Sequence, residues 1–319
     1  MRHPVNWAEP RYVPSMPTLK NDQLSVTILP YGARIQSIRL AGGWEAVLGL
    51  EDEAAYHDEP MFHGAALGRY ANRIRGGFTL DGERFELPQN NGPNCLHGGP
   101  GGFHAQEWAV EDHSDECAIL SLSSPDGDQG FPGQLDVRLE ARIDGARLRL
   151  GFEATTDRPT PVNLSYHPYF RLGGDTIRDH VLKVEAMGVL HVDEDLVPTG
   201  EIMPLVGGAL DLREGGELGR HIDALNGSGG FDHCFTWAEG VTAELSHPGS
   251  GRRMKVTSNA PMMQVYTGQG LAEPHQPYAG VALEPQSAPD APNRPRLGNT
   301  ILRPGETYRR WIAYEFLQD

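Results

Sequence analysis

Lysine is nearly missing from this chain: Lys20, Lys183 and Lys255 are the three among 27 basic residues, against 43 acidic ones. The formal net charge of -16 repels nucleic-acid phosphates and anionic membrane surfaces, so neither is an expected partner. Cysteine is equally scarce. Cys95, Cys117 and Cys234 are odd in number and lack CxxC spacing, which argues against a disulfide framework and for a reducing, cytoplasmic compartment. No apolar run approaches the roughly 20 residues of a membrane helix. Met1 to Pro17 lacks the apolar stretch of a signal peptide and reads as a surface arm ahead of one large domain, 18–319.

Nucleotide and metal signatures are missing too. There is no GxGxxG after a strand, no GxxxxGK[ST], no HExxH, no EF-hand loop and no GxSxG elbow. The Gly98-Gly99-Pro100-Gly101-Gly102 run lacks phosphate-cradling spacing. Thirteen histidines include no HxH pair, so the expectation is no metal and no cofactor. Long helical periodicity is scarce as well, with one short helix conceivable in 51–57 and another in 211–225.

What is abundant is strand signal. Leu135, Val137, Leu139, Ala141 and Ile143 alternate with polar residues up to Asp144-Gly145, and Ala146, Leu148, Leu150 and Phe152 alternate beyond it. Alternation on both sides of Asp-Gly is a strong hairpin signal. Asp81-Gly82 repeats the pattern within 78–87. With 39 glycines and 25 prolines spread throughout, the chain reads as all-β, mostly antiparallel, with two sheets packed face to face.

Five polar clusters stand out. They are GRYANRI at 68–74, NCLHGG at 94–99, NLSYHPYF at 163–170, FDHCF at 231–235 and LEPQSAPDAPN at 283–293. Singly, each histidine or acid is an ordinary surface or capping group. Glu284 differs because it ends an apolar run, Val281-Ala282-Leu283, and precedes Pro285. Alternation puts it on the face of small Ala282, opposite Val281 and Leu283, which leaves room for a ligand. Aromatic rings flank His167; they suit a wall for a sugar face and equally suit the core.

These arrays in this order, with the Leu302-Arg303-Pro304-Gly305-Glu306-Thr307-Tyr308 ending, resemble the aldose 1-epimerase (galactose mutarotase) family from about Gly32 to Phe316. The resemblance implies a large β-sandwich and an isomerase that interconverts aldose anomers by ring opening, rotation about C1–C2 and reclosure. Its substrate would be a small aldose such as galactose or glucose, and the protein a monomer or weak homodimer. The resemblance makes Glu284 the general base, His167 the general acid and His97 an assisting histidine near the ring oxygen. It gives Arg73, Asn72 and Asp232 the sugar hydroxyls, and Gln286 and Asn293 support of the Glu284 turn. Two positions depart from the family pattern: Tyr166 and Arg171 stand where asparagine is common, which bears on the pocket wall. His63 receives no role.

The chemistry suits these groups. The C1 hydroxyl loses a proton while the ring oxygen gains one, so one base and one acid on opposite sides of the anomeric centre suffice, each giving about 10²- to 10⁴-fold. A hexose-phosphate 1-epimerase is the nearest alternative, since Arg69, Arg73 and Arg75 could bind phosphate, although alternate strand residues point apart. A non-catalytic carbohydrate-binding module would not need both Glu284 and His167. A glycosidase pairing Asp232 with Glu284 is the third alternative.

Overall fold

The computed structural model describes residues 16–225, 229–237 and 239–318. The surface arm expected for 1–17 lies outside them, apart from Met16 and Pro17.

Both Asp-Gly hairpins form. Leu135–Asp144 pairs with Arg147–Thr156 in full register, and Gly77–Leu80 pairs with Glu83–Glu86. The first hairpin sits in a nine-stranded antiparallel sheet. Tyr308–Gln318 lies at its centre, between Arg147–Thr156 and Arg252–Ser258. The second large sheet has six strands: Tyr169–Phe170, Val281–Gln286, Met262–Tyr266, Asp232–Thr236, Gly188–Val192 and Pro198–Pro204. A three-stranded sheet, Thr18–Lys20 with Leu24–Leu29 and Arg34–Leu40, flanks them. Among the described residues helix is confined to short pieces, including Ala54–Tyr56 and Leu218–Ala224, which fall within the two stretches expected from sequence. No helix of the described residues is long and apolar enough to cross a membrane.

One apolar core joins the two large sheets. Leu139, Leu150, Phe152, Ile312 and Tyr314 come from the nine-stranded sheet, and Val265, Met263, Val281, Leu283 and Phe235 from the six-stranded one. Phe170 meets Tyr314 with ring centroids 4.8 Å apart. Burying such side chains contributes about 1.5–3 kcal/mol each. Alternation then fixes the other face of the six-stranded sheet. Ala282 and Glu284 point away from Val281 and Leu283, and their cross-strand partners are Tyr266 and Gln264. That second face is also covered: Glu284 and Gln264 are 1% and 4% exposed. A polar sheet face roofed by loops is where the site lies.

The Val281–Gln286 strand corrects one expectation. Glu284 sits inside the strand, which continues through Pro285 to Gln286. Proline is tolerated because the neighbouring strand on that side is only Tyr169–Phe170, which pairs with Ala282 and Val281 and ends before Pro285.

Candidate active site

Three backbone junctions build the site. The first joins the GRYANRI and NCLHGG arrays. Arg73, Ile74 and Arg75 pair with Leu96, Cys95 and Asn94. Asn72 N–H donates to His97 Nδ1 at 3.0 Å, and His97 N–H donates to the Asn72 carbonyl at 3.1 Å. Both residues hold positive φ, 64° and 51°, which Asn tolerates better than His. Gly98 follows at φ 86°, where a Cβ would lie 2.0 Å from the Gly68 carbonyl oxygen. Only glycine lets the chain turn there.

The second junction places His167. Ser165 and Tyr166 pair with Leu67 and Ala66, and His167 N–H donates to the Ala65 carbonyl at 3.0 Å. Tyr169 then pairs with Ala282. Two-residue alternation aims His167 and Tyr169 to the face that carries Glu284. The third junction is Asn163. Its Nδ2 donates to the carbonyls of Ala71 and Ser287, both at 3.2 Å, and its Oδ1 accepts from Ser287 N–H at 2.7 Å. One buried side chain thereby locks the first array to the Glu284 strand.

The result is a cavity of about 230 Å³ whose lining includes Glu284, His167, His97, Asn72, Arg73 and Asp232. All six residues singled out from sequence meet there. His167 Nε2 lies 3.4 Å from Glu284 Oε1. The His97 and His167 rings are edge-on, with centroids 5.5 Å apart. Arg73 pairs with Asp232 at 3.4 Å, and Asp232 Oδ1 accepts from Gln264 Nε2 at 2.5 Å. Sequence reasoning missed Asn91, Phe62, Met61 and Tyr266, which also line the cavity. Tyr266 was recoverable in part, because alternation in 262–266 pairs it with Gln264 on one face, but nothing local ties that face to Glu284.

Burial dominates the electrostatics. It pushes the Glu284 carboxyl well above the usual carboxylate range; Asp232 adds to this and Arg73 opposes it. Burial lowers the His167 imidazole to about 4. His97 is lowered well below its ordinary value by burial, then by His167, His104 and Arg73. Glu284 Oε2 and His167 Nδ1 are buried with no hydrogen-bond partner among the described residues. Orphaned buried polar atoms beside a cavity point to a ligand.

Two groups of the described residues have metal-like composition: His97, His167 and Glu284, and Asp179, His180 and His247. Their hydrogen bonds speak against ligation. His97 Nδ1 and His180 Nε2 each accept a backbone N–H, from Asn72 and Leu172. A neutral ring so engaged carries its proton on the other nitrogen and offers a cation no lone pair there.

The chain matches the aldose 1-epimerase family model over residues 16–315. It belongs to the aldose 1-epimerase family, a family of isomerases. Galactose mutarotase of Bos taurus is 39% identical, covering 93% of this chain and 92% of its own. Aldose 1-epimerase of Escherichia coli K12 is 36% identical, covering 95% of each. Among solved structures, the galactose 1-epimerase of Lactobacillus acidophilus superposes with TM-score 0.86 at 30% identity, covering 94% of this chain and 93% of its own. An aldose epimerase homologue from C. elegans gives TM-score 0.89 at 26% identity, covering 95% and 99%. The all-β sandwich is the family's fold.

Several finer expectations are corrected. Tyr166 does not wall the pocket: it is fully buried, stacks on Phe152 and donates to the Ala33 carbonyl at 2.9 Å. Arg171 donates to the Asp175 carbonyl at an exposed position. Asn293 does not support Glu284; it holds Asp290 Oδ1 at 2.7 Å, and Asp290 braces the Arg73–Arg75 strand by accepting from Arg75 N–H at 3.1 Å. Gln286 contacts Cys234 Sγ at 3.8 Å. His63 packs behind Tyr169 and pairs with Glu59 at 2.8 Å. Cys95 and Cys234 are buried thiols, with Cys95 pushed up to about 12 by burial. That makes them poor nucleophiles.

Proposed function

We propose that this chain interconverts the α and β anomers of a free aldose such as galactose or glucose, without metal or cofactor. Glu284 acts as base and His167 as acid, and His97 assists near the ring oxygen. The observation that carries the reading is the 3.4 Å approach of Glu284 Oε1 to His167 Nε2 on a cavity wall, with Glu284 Oε2 unpartnered.

The spacing refines the expected geometry. At 3.4 Å the two heads leave no room for a sugar ring between them. The sugar lies across both, and the two oxygens that exchange protons are bonded to the same carbon. Adjacent groups reach both. Ring opening moves the C1 hydroxyl proton to Glu284 while His167 gives one to the ring oxygen; rotation and reclosure reverse both transfers. The pair needs one proton in total. Burial raises the Glu284 carboxyl and lowers the His167 imidazole, so it disfavours charge on either member, and transfer of that proton across the short gap gives the carboxylate and imidazolium of the working pair.

Asn72, Arg73 and Asp232 hold the hydroxyls that do not react. A phosphorylated substrate fits less well. The Arg69 guanidinium is spent on Ser124, Pro125, Pro132 and Gly133, and Arg75 on Asp193 and Asp195. Arg73 is left, and it is already neutralised by Asp232. Polarimetry on fresh α-galactose, α-glucose and α-glucose 6-phosphate tests the reading. Acceleration of the free sugars well above that of the phosphate supports it. Acceleration of the phosphate alone, or of none, overturns it.

A further inference from the structure

Asn91 belongs to none of the roles so far assigned, yet it touches the sugar-holding arginine. Arg73 Nε donates to Asn91 Oδ1 at 2.9 Å, while the only other side-chain hold on that guanidinium among the described residues is the 3.4 Å contact with Asp232. The loop that carries Asn91 is built to present it. Asn90 closes the loop through Oδ1, which accepts from Leu96 N–H at 2.8 Å, and Nδ2, which donates to the Leu96 carbonyl at 3.1 Å. The backbone N–H groups of Asn90 and Asn91 both donate to the Asn94 carbonyl at 3.2 Å. Leu96 in turn is the strand partner of Arg73. Asn91 also lines the cavity itself. Because its Oδ1 faces Arg73, its Nδ2 hydrogens are left for another acceptor.

We infer that Asn91 is a positioning and specificity-determining residue: it sets the aim of the Arg73 guanidinium and donates its amide N–H to one sugar hydroxyl. This rests on the mutarotase reading above. The physical case is the weakness of the alternative hold. A guanidinium fastened only by a long contact to Asp232 has several rotamers, and fixing it in one is what a short hydrogen bond at Nε does. The amide adds a donor beside the Arg73 donors, so the site presents a matched pair to adjacent oxygens. Removing such a donor weakens binding most for the sugar that carries the matching hydroxyl.

The test is steady-state polarimetry of the wild type, Asn91→Ala and Asn91→Asp on galactose and its 2-, 3-, 4- and 6-deoxy analogues. Asn91→Ala is expected to raise KM about tenfold and to leave kcat within about threefold. Asn91→Asp keeps an acceptor for Arg73 Nε but not the donor to the sugar, and is expected to recover only part of that loss. The wild type should bind one deoxy sugar more weakly than galactose, and both variants should lose that discrimination, because both lack the amide donor. Unchanged KM and unchanged discrimination overturn the inference, as does a fall in kcat with KM untouched. If Asn91→Ala does not fold, Asn91→Asp alone decides through its discrimination. An inactive wild type would remove the mutarotase reading; an active wild type with normal Asn91 variants removes this inference only.

Discussion

Two trios in this molecule each combine two histidines with one carboxylate and have opposite fates. His97, His167 and Glu284 form one; Asp179, His180 and His247 form the other. In the second, every ring nitrogen has a partner in the protein. His180 accepts from Leu172 N–H and bonds Asp179 at 3.0 Å, while His247 bonds Asp179 at 3.1 Å and Ser250 at 2.8 Å. In the first, Glu284 Oε2 and His167 Nδ1 stay unpartnered and the residues line a cavity. Residue type does not separate the two. Satisfaction does: a fully bonded trio fastens loops to a sheet, and an unsatisfied one keeps hydrogen-bonding capacity for a ligand.

The comparison breaks most sharply on activity. Glu284→Gln should lower kcat on galactose by about 10³-fold or more and His167→Ala by about 10²- to 10⁴-fold, measured by polarimetry, with the fold retained by circular dichroism. Next is pH. Burial holds His167 near 4, so the acid limb of kcat/KM should fall near pH 4 rather than at the ordinary histidine value of about 6.5. A smaller effect separates the trios by stability. His247→Ala should lower Tm by about 2–4 °C through lost hydrogen bonds, and its kcat should stay within about twofold of wild type.

A last effect concerns Glu284 and stability. Its pKa is raised in the folded state, so the folded chain binds more protons than the unfolded one between about pH 4.3 and the raised value. Wild-type stability therefore falls through that window as pH rises, by up to about 1.4 kcal/mol per unit. Glu284→Gln lacks the titration, so in paired urea melts it should gain on wild type from pH 5 to pH 8. Equal slopes would mean that Glu284 is not held in a charge-averse site.

Much of the fold was legible because its rules are local. Asp144-Gly145 and Asp81-Gly82 mark their hairpins, and alternation sorted Val281 and Leu283 into the core and Ala282 and Glu284 onto the opposite face. The six candidate residues that line the cavity were legible as dense polar arrays matching a family. What stayed hidden depends on which strands pair. The Pro198–Pro204 strand, PTGEIMP, carries little strand signal and forms through pairing with Gly188–Val192, which pairs in turn with Asp232–Thr236. Asn91 reads as one more loop asparagine until the fold lays it against Arg73. Pro285 reads as a strand end until its neighbour proves too short to need a donor at that position.

The most direct test is saturation transfer between the α and β anomeric proton resonances of galactose, with wild type, Glu284→Gln and His247→Ala at equal concentration. Transfer by wild type and His247→Ala but not by Glu284→Gln is the predicted result. Transfer undiminished in Glu284→Gln, or lost equally in His247→Ala, would contradict the claim that the unsatisfied Glu284–His167 pair carries the chemistry.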